Sequence, residues 1–443
     1  MIYNWMIENL LFPVGDILNG SSYIQNLKLL RKLVRRNEEQ LISYQKEKLN
    51  DILQHAVANS SLYNQISLDQ NQDPIEWLKK FPVMDKISLK ANLDGLLTQD
   101  KNKLIRYSSS GSSGIQSEVF VSKSEQSIFR AAQTLWWEWA GFKLGMPMVQ
   151  TGLASKRTKE KKIKDFLLRT YYLFAFSITR KQAIDALEWG NSHHAFLGGY
   201  ASSLYVLAGL AKETQQKAKF SAAVTWGDKL FDHYKREIEQ TFSCKVYETY
   251  GANEGLMIGS QKDLEYMYIM SPLVYVEILN DQGAEVEDGE MGNVVVTSLI
   301  AKSMPLIRFR LGDLAIKLPR DQYPPHRELQ LPILQKVVGR ETDLILTPQG
   351  KKMIVHSFTG IFNKYPSIAQ FCVIQNVLEK IKIQYIPGLG FNSDILDEIQ
   401  RTILAYLDEE IEIEFEKVEL IPPTKSGKPQ IISSQLLKGK QTS

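Results

Sequence analysis

The chain reads as an α/β protein with a large N-terminal part of mixed sheets, a small β-barrel-like subdomain, and a small α+β C-terminal part. Short apolar runs alternate with helical stretches from about residue 141 to 260, as in strands joined by crossover helices in a mostly parallel sheet. Over residues 265–316 the runs become short and β-branched. Asp281-Gln282-Gly283, Asp288-Gly289 and Met291-Gly292 split them, which is the signature of antiparallel strands. Beyond Arg340 the pattern shrinks to a strand, a turn, a helix and an alternating strand.

In chain order, residues 24–58 predict helix, with Leu27, Leu30, Val34, Leu41 and Tyr44 recurring among charges. Asp73-Pro74 opens a short amphipathic helix, since proline suits a first turn. Residues 103–107 and 117–121 are strand-like, and a long helix is expected from Ser124 to about Gly141. Residues 148–153 and 220–225 are apolar strands of the alternating region. The uncharged stretch 195–211 is short for a membrane span and rich in glycine and serine, so it reads as a buried helix. In the C-terminal part, residues 344–346 read as a strand, Gln349-Gly350 as a turn and 394–407 as a helix. Ile411, Ile413, Phe415 and Val418 mark a final strand. A boundary near residues 340–343 divides the chain into 1–341 and 342–443.

Composition narrows the function. With 443 residues, 44% hydrophobic and 23% charged, the chain has the balance of a globular protein with a sizeable core. Lysine and arginine number 53 against 50 acidic residues, and a net charge of +3 gives no reason to expect nucleic acid as a partner. The two cysteines, Cys244 and Cys372, suggest neither a zinc cluster nor a disulfide framework. The apolar start lacks a basic n-region and is broken by Glu8 and Asp16, so it is not read as a secretory signal, and the expected location is cytoplasmic.

Tyr107-Ser-Ser-Ser-Gly-Ser-Ser-Gly114 is a candidate phosphate cradle. Its glycines let backbone N–H groups turn inward, and serine hydroxyls add donors. No Gly-Lys-Ser/Thr closes it, so it is not a Walker loop, and a plain Gly/Ser turn has the same composition. Tyr247 to Gly255 holds an aromatic, a glycine and a carboxylate close together, suited to stacking on a purine and to holding Mg²⁺, although a Tyr-Gly pair ending a strand is by itself usually a turn. Pro305 to Leu314 contains Gly312-Asp313, which by itself reads as a hairpin turn and otherwise as an acceptor for ribose hydroxyls. Val338 to Asp343 lies at the inferred boundary, and Pro422 to Lys428 carries a lysine on a loop.

In order and spacing these segments resemble the adenylate-forming (ANL) superfamily. The resemblance is to its phenylacetate–CoA ligase branch, which includes CapK-type proteins of capsular-polysaccharide gene clusters. It runs from about Tyr107 to Lys428 and is most specific over residues 283–313, where Gly289-Glu-Met-Gly292, Val295-Val-Thr297 and Pro305-Leu-Ile-Arg-Phe-Arg310 precede Gly312-Asp313. It implies that Ser109, Ser110, Gly111, Ser112, Ser113 and Gly114 wrap the ATP phosphates. Tyr250 and Gly251 would flank adenine, Asn253 would stand where the family has a hydroxyl, and Glu254 would hold Mg²⁺ and serve catalysis. Thr225-Trp226-Gly227-Asp228 resembles the turn beside adenine and the acyl pocket. Asp313 would accept from the ribose hydroxyls, Arg340 would contact the ribose–phosphate side, and Thr342 stands at the hinge of a mobile C-terminal domain.

Lys428 matches the catalytic lysine that bridges the substrate carboxylate and the α-phosphate. The implied activity is ATP-dependent activation of a small carboxylic acid, with Mg²⁺, followed by transfer to CoA. The alternative acceptor is an amino sugar in capsular or surface polysaccharide assembly. Trp136, Trp137 and Trp139, at helical spacing, read as core. His193-His194 has no metal-ligand partner at useful spacing. The segment from Lys156 to Arg169, with seven basic and two acidic residues, reads as a solvated face that could also attract CoA phosphates or anionic lipid.

Overall fold

Asn37 stops and restarts the first helix. Its side chain accepts from the Gln40 N–H at 2.9 Å, so the helix expected over 24–58 is two, α1 (Tyr23–Leu33) and α2 (Glu38–Asn59). The computed structural model describes residues 2–69, 72–108, 118–154, 156–175, 177–340, 344–349, 352–354, 358, 361–362, 364–365, 367–407, 411–422, 431–434 and 436. A helical segment over residues 2–19 precedes α1, with one π turn at Ile7–Leu11.

β1 (Ile105–Ser108) and β2 (Glu118–Val121) form an antiparallel pair with Ser108 opposite Glu118. α3 (Lys123–Trp139) follows, its first turn closed by a reciprocal capping box between Ser122 and Glu125. The expected alternation then appears as β3 (Met148–Gly152), α4 (Lys159–Leu167), β4 (Thr170–Phe174) and α5 (Arg180–Ser192). It continues as β5 (Phe196–Tyr200), α6 (Ala201–Glu213), β6 (Ala223–Trp226), α7 (Asp232–Phe242) and β7 (Val246–Ala252). The reading of 195–211 as one buried helix is therefore corrected: its first third is β5. That strand is covered on both faces and carries no charge, so its hydropathy matches that of a buried helix.

β3 to β7 pair in parallel, and the sheet continues through antiparallel strands β8 (Leu256–Gln261), β9 (Met267–Ile269), β10 (Val274–Leu279), β11 (Met291–Ser298), β12 (Phe309–Lys317) and β13 (Ile333–Arg340). Among the described residues the order is β10-β11-β12-β13-β9-β8-β7-β6-β5-β3-β4. The barrel-like subdomain is thus the curled half of one eleven-stranded sheet. β10 returns against β8 without ladder pairing between them.

Past residue 343 lie the pair β14 (Leu344–Leu346) and β15 (Lys352–Ile354). β16 (Ile368–Val377), β17 (Lys380–Pro387), β18 (Glu412–Lys417) and β19 (Ile432–Ser434) form a four-stranded sheet in the order β18-β17-β16-β19, and α8 (Asp394–Leu407) completes the unit. Its core, including Ile381, Ile383, Ile399 and Ile403, also takes in Phe231 from the loop before α7. Separate apolar cores serve the parallel half and the antiparallel half with α3.

Candidate functional site

The parallel strands end on a row of small and aromatic residues. Crossovers leave β3 toward β4 on one side and β5 toward β6 on the other, so the strand order reverses between β3 and β5. Such a switch point opens a crevice beyond the carboxyl ends. There the Tyr200 N–H donates to Thr151 Oγ1 at 3.1 Å, and Thr151 and Ser203 share a hydroxyl contact of 2.6 Å. A Cβ at Gly199 would lie 1.9 Å from Thr151 Oγ1, and one at Gly227, where φ is +81°, would lie 2.4 Å from the Tyr200 ring. Both positions therefore require glycine.

The β7–β8 turn meets β12 beside this crevice. The Tyr250 hydroxyl donates to Asp313 Oδ2 at 2.9 Å, joining two segments singled out in the sequence. Asp313 lies opposite Arg340 in the β12–β13 ladder, which brings a third segment to the same place by its backbone. Gly251 cannot carry a side chain, because a Cβ would lie 2.9 Å from the Leu256 carbonyl oxygen. Glu254 is only 5% exposed, whereas Asn253 faces solvent.

α3 ties the serine loop's base to that turn. The Tyr107 ring lies 6.4 Å from the Phe129 ring, and the same Phe129 ring would meet a Cβ at Gly255 at 2.7 Å. The pairing of Ser108 with Glu118 holds both ends of the intervening loop together. Ser109, Ser110, Gly111, Ser112, Ser113, Gly114, Thr342 and Lys428 lie outside the described residues, as does the side chain of Arg340.

Sequence reasoning missed the roles of three side chains around the β6 end, two of them inside the segments 225–228 and 247–255 that it had singled out. The Asp228 carboxylate caps α6, accepting from the N–H of Ala201 at 2.6 Å and of Ser202 at 3.2 Å. Lys229 Nζ donates to the Val338 carbonyl. Burial pushes the Glu248 carboxyl up to about 7, against the pull of Lys229. For Asp228 a signal existed: an acid just past a strand end is a ready helix cap, though this one caps a helix that precedes it in the chain. The other two depend on long-range packing that no local pattern encodes.

The remaining readings resolve as architecture. Arg308, with φ +48°, is buried and pairs with Glu277 at 2.9 Å, so the first arginine of the 305–310 motif holds the sheet together. Trp136 is core, while half-buried Trp137 stacks 5.6 Å from Trp226. His193 bonds the Trp189 carbonyl at the end of α5. Burial pushes the Cys244 thiol up to about 12, far from a reactive thiolate. Among the described residues, no group of three or more His, Cys, Asp or Glu is placed to hold a metal, and no helix is long and apolar enough to cross a membrane. A buried carboxylate such as Glu254 nevertheless fits Mg²⁺, which is commonly held by one or two carboxylates together with substrate phosphates.

The chain is similar to known proteins over most of its length. Residues 345–435 match the model of the CapK C-terminal domain. The chain is 21% identical to the protein CapK of Staphylococcus aureus over 92% of this chain and 91% of that one. It is 24% identical to the phenylacetate-coenzyme A ligase of Pseudomonas putida over 72% of this chain and 74% of that one. In fold it matches 2-hydroxyisobutyryl-CoA ligase, solved in the postadenylation state with an acyl-AMP, at a TM-score of 0.70 and 16% identity, covering 93% and 94% of the two chains. The fold is that of the adenylate-forming ligases.

Proposed function

We propose that the protein is an AMP-forming ligase that activates a small carboxylic acid with ATP and passes the acyl group to CoA. The observation that carries this reading is the Tyr250–Asp313 contact at the carboxyl end of the sheet, which gathers a ring and a carboxylate suited to a nucleoside. Tyr250 would flank adenine above the bare backbone of Gly251 and Gly227, and Asp313 would accept from the ribose hydroxyls. Arg340 would meet the ribose–phosphate side, with Asn253 beside it as an amide donor. The serine loop 109–114 would wrap the phosphates.

In the first step a carboxylate oxygen of the acid attacks the α-phosphorus. The P–O bond to pyrophosphate breaks, leaving an acyl adenylate. In the second the CoA sulfur attacks the acyl carbon, and AMP leaves as the thiol proton is lost. Two anions approach in the first step, so positive charge must be gathered there. Lys428 would supply it from the chain. Glu254 would hold Mg²⁺, which when bound neutralises phosphate charge. The part from 342 to 443 would turn about Thr342 between the two steps, withdrawing Lys428 and admitting the acceptor. A cytoplasmic location follows from the need for ATP and CoA.

ATP–pyrophosphate exchange over aryl, fatty and amino acids tests the reading, and no exchange with any acid would overturn it. Lys428→Ala should cut exchange by about 10²–10³ while sparing acyl transfer from a supplied adenylate. Equal loss of both would exclude the turning mechanism. AMP release that rises with CoA assigns the thioester. Release that ignores CoA and requires a sugar amine assigns the amide instead.

A further inference from the structure

The helical segment 2–19 packs one side against the protein and leaves the other bare. Ile7 faces Gly145, and Glu8 pairs with Arg31 at 2.5 Å. Trp5 at 59% exposure, Ile17 at 81% and Leu18 at 80% stand open to solvent, with Met6, Leu10 and Val14 exposed between them. Bare apolar surface of this extent on one helix is unusual for a protein surrounded only by water.

A second element extends the same surface. The Tyr3 hydroxyl donates to the Leu167 carbonyl at the end of α4 at 2.5 Å, and the Arg169 guanidinium lies 5.7 Å from the Tyr3 ring. α4 places Ile163 and Phe166 on one stripe, Phe166 at 82% exposure, and exposed Lys159 and Lys162 share that stripe at helical spacing. Asp165 is paired with Arg157 at 2.8 Å, and exposed Glu160 is the other acid of α4, so Lys156, Lys159, Lys161 and Lys162 outnumber it and keep the rim positive.

We infer that this face, the exposed side of residues 2–19 together with α4, docks the protein on a bilayer surface carrying anionic lipids. Apolar and aromatic side chains enter the headgroup boundary while lysines meet the phosphates, which is how interfacial amphipathic helices bind. Charge decides against a second copy of the chain. A two-fold contact would gather the lysines of both copies into one interface whose α4 acids are Glu160 and the already paired Asp165, whereas an anionic membrane complements both halves of the face.

Vesicle co-sedimentation of the full chain tests this, with phosphatidylcholine alone and with phosphatidylcholine mixed with phosphatidylglycerol, at low and high salt. The protein should pellet with the mixed vesicles, and less so at high salt. Lys159→Gln/Lys161→Gln/Lys162→Gln should weaken that partitioning by about a hundredfold. Trp5→Ser/Phe166→Ser should weaken it by about tenfold or more. Both variants should keep the thermal midpoint of the unaltered chain, because every changed side chain is exposed. Failure of the unaltered chain to pellet with mixed vesicles overturns the proposal. So does equal pelleting with phosphatidylcholine alone that the lysine variant leaves untouched. Self-association that Trp5→Ser/Phe166→Ser disperses, without vesicle binding, gives the face to a second copy and equally overturns it.

Discussion

Tyr250 and Asp313 stand 63 residues apart in sequence and touch through one hydrogen bond. Tyr250→Phe removes that bond and keeps the ring. It should lower stability by about 1 kcal/mol, read as a fall in the melting temperature, and should also raise the Michaelis constant for ATP by leaving Asp313 less firmly placed. Asp313→Ala removes the charged acceptor and should cost about 1.5–3 kcal/mol in the same melting measurement. Glu248 predicts a pH dependence of stability. Its carboxyl titrates at about 7 in the folded chain against 4.5 for the free group, so the folded state binds the proton more tightly between those values. Stability should then fall as pH rises through that window. Glu248→Gln keeps the acceptor for the Leu230 N–H and should flatten the slope, raising the urea midpoint relative to the unaltered chain at about pH 8 and not at about pH 4. Parallel slopes for the two proteins would show that Glu248 is not the group responsible.

Among the elements, α6 and the β10–β12 ladder depend on single side chains. Asp228 serves two N–H groups at the start of α6, and Asp228→Ala should lower stability by about 0.5–2 kcal/mol in chemical denaturation. The Glu277–Arg308 pair is deeper. Burial raises the Glu277 carboxyl while Arg308 draws it back down, so the two groups need one another. Glu277→Gln leaves a buried guanidinium without its counter-charge and should cost about 3–5 kcal/mol. The Michaelis constant for ATP should stay unchanged in the fraction that folds. A large rise in that constant would mean that Arg308 belongs to the nucleotide site after all.

For the whole molecule, the sequence made the order of elements and the segments of the site readable, because turn residues and apolar periodicity are local. The alternation that predicted β3 to β7 held, and α8 was found at its observed bounds. Local pattern failed where the environment decides. β5 lies buried between neighbours and looks like helix, and Asn37 acts as a break only through its cap. The contacts that assemble the site, Tyr250 with Asp313 and Phe129 with Gly255, join distant positions that no spacing rule connects. The short stretch from Trp226 to Phe231 concentrates this dependence. In six consecutive residues it stacks on α3, turns at a glycine, caps α6, holds the Val338 carbonyl and lends a ring to the C-terminal core. Saturation mutagenesis scored by survival should therefore find this hexapeptide among the least forgiving stretches of the gene, although four of its six members are open or partly open to water.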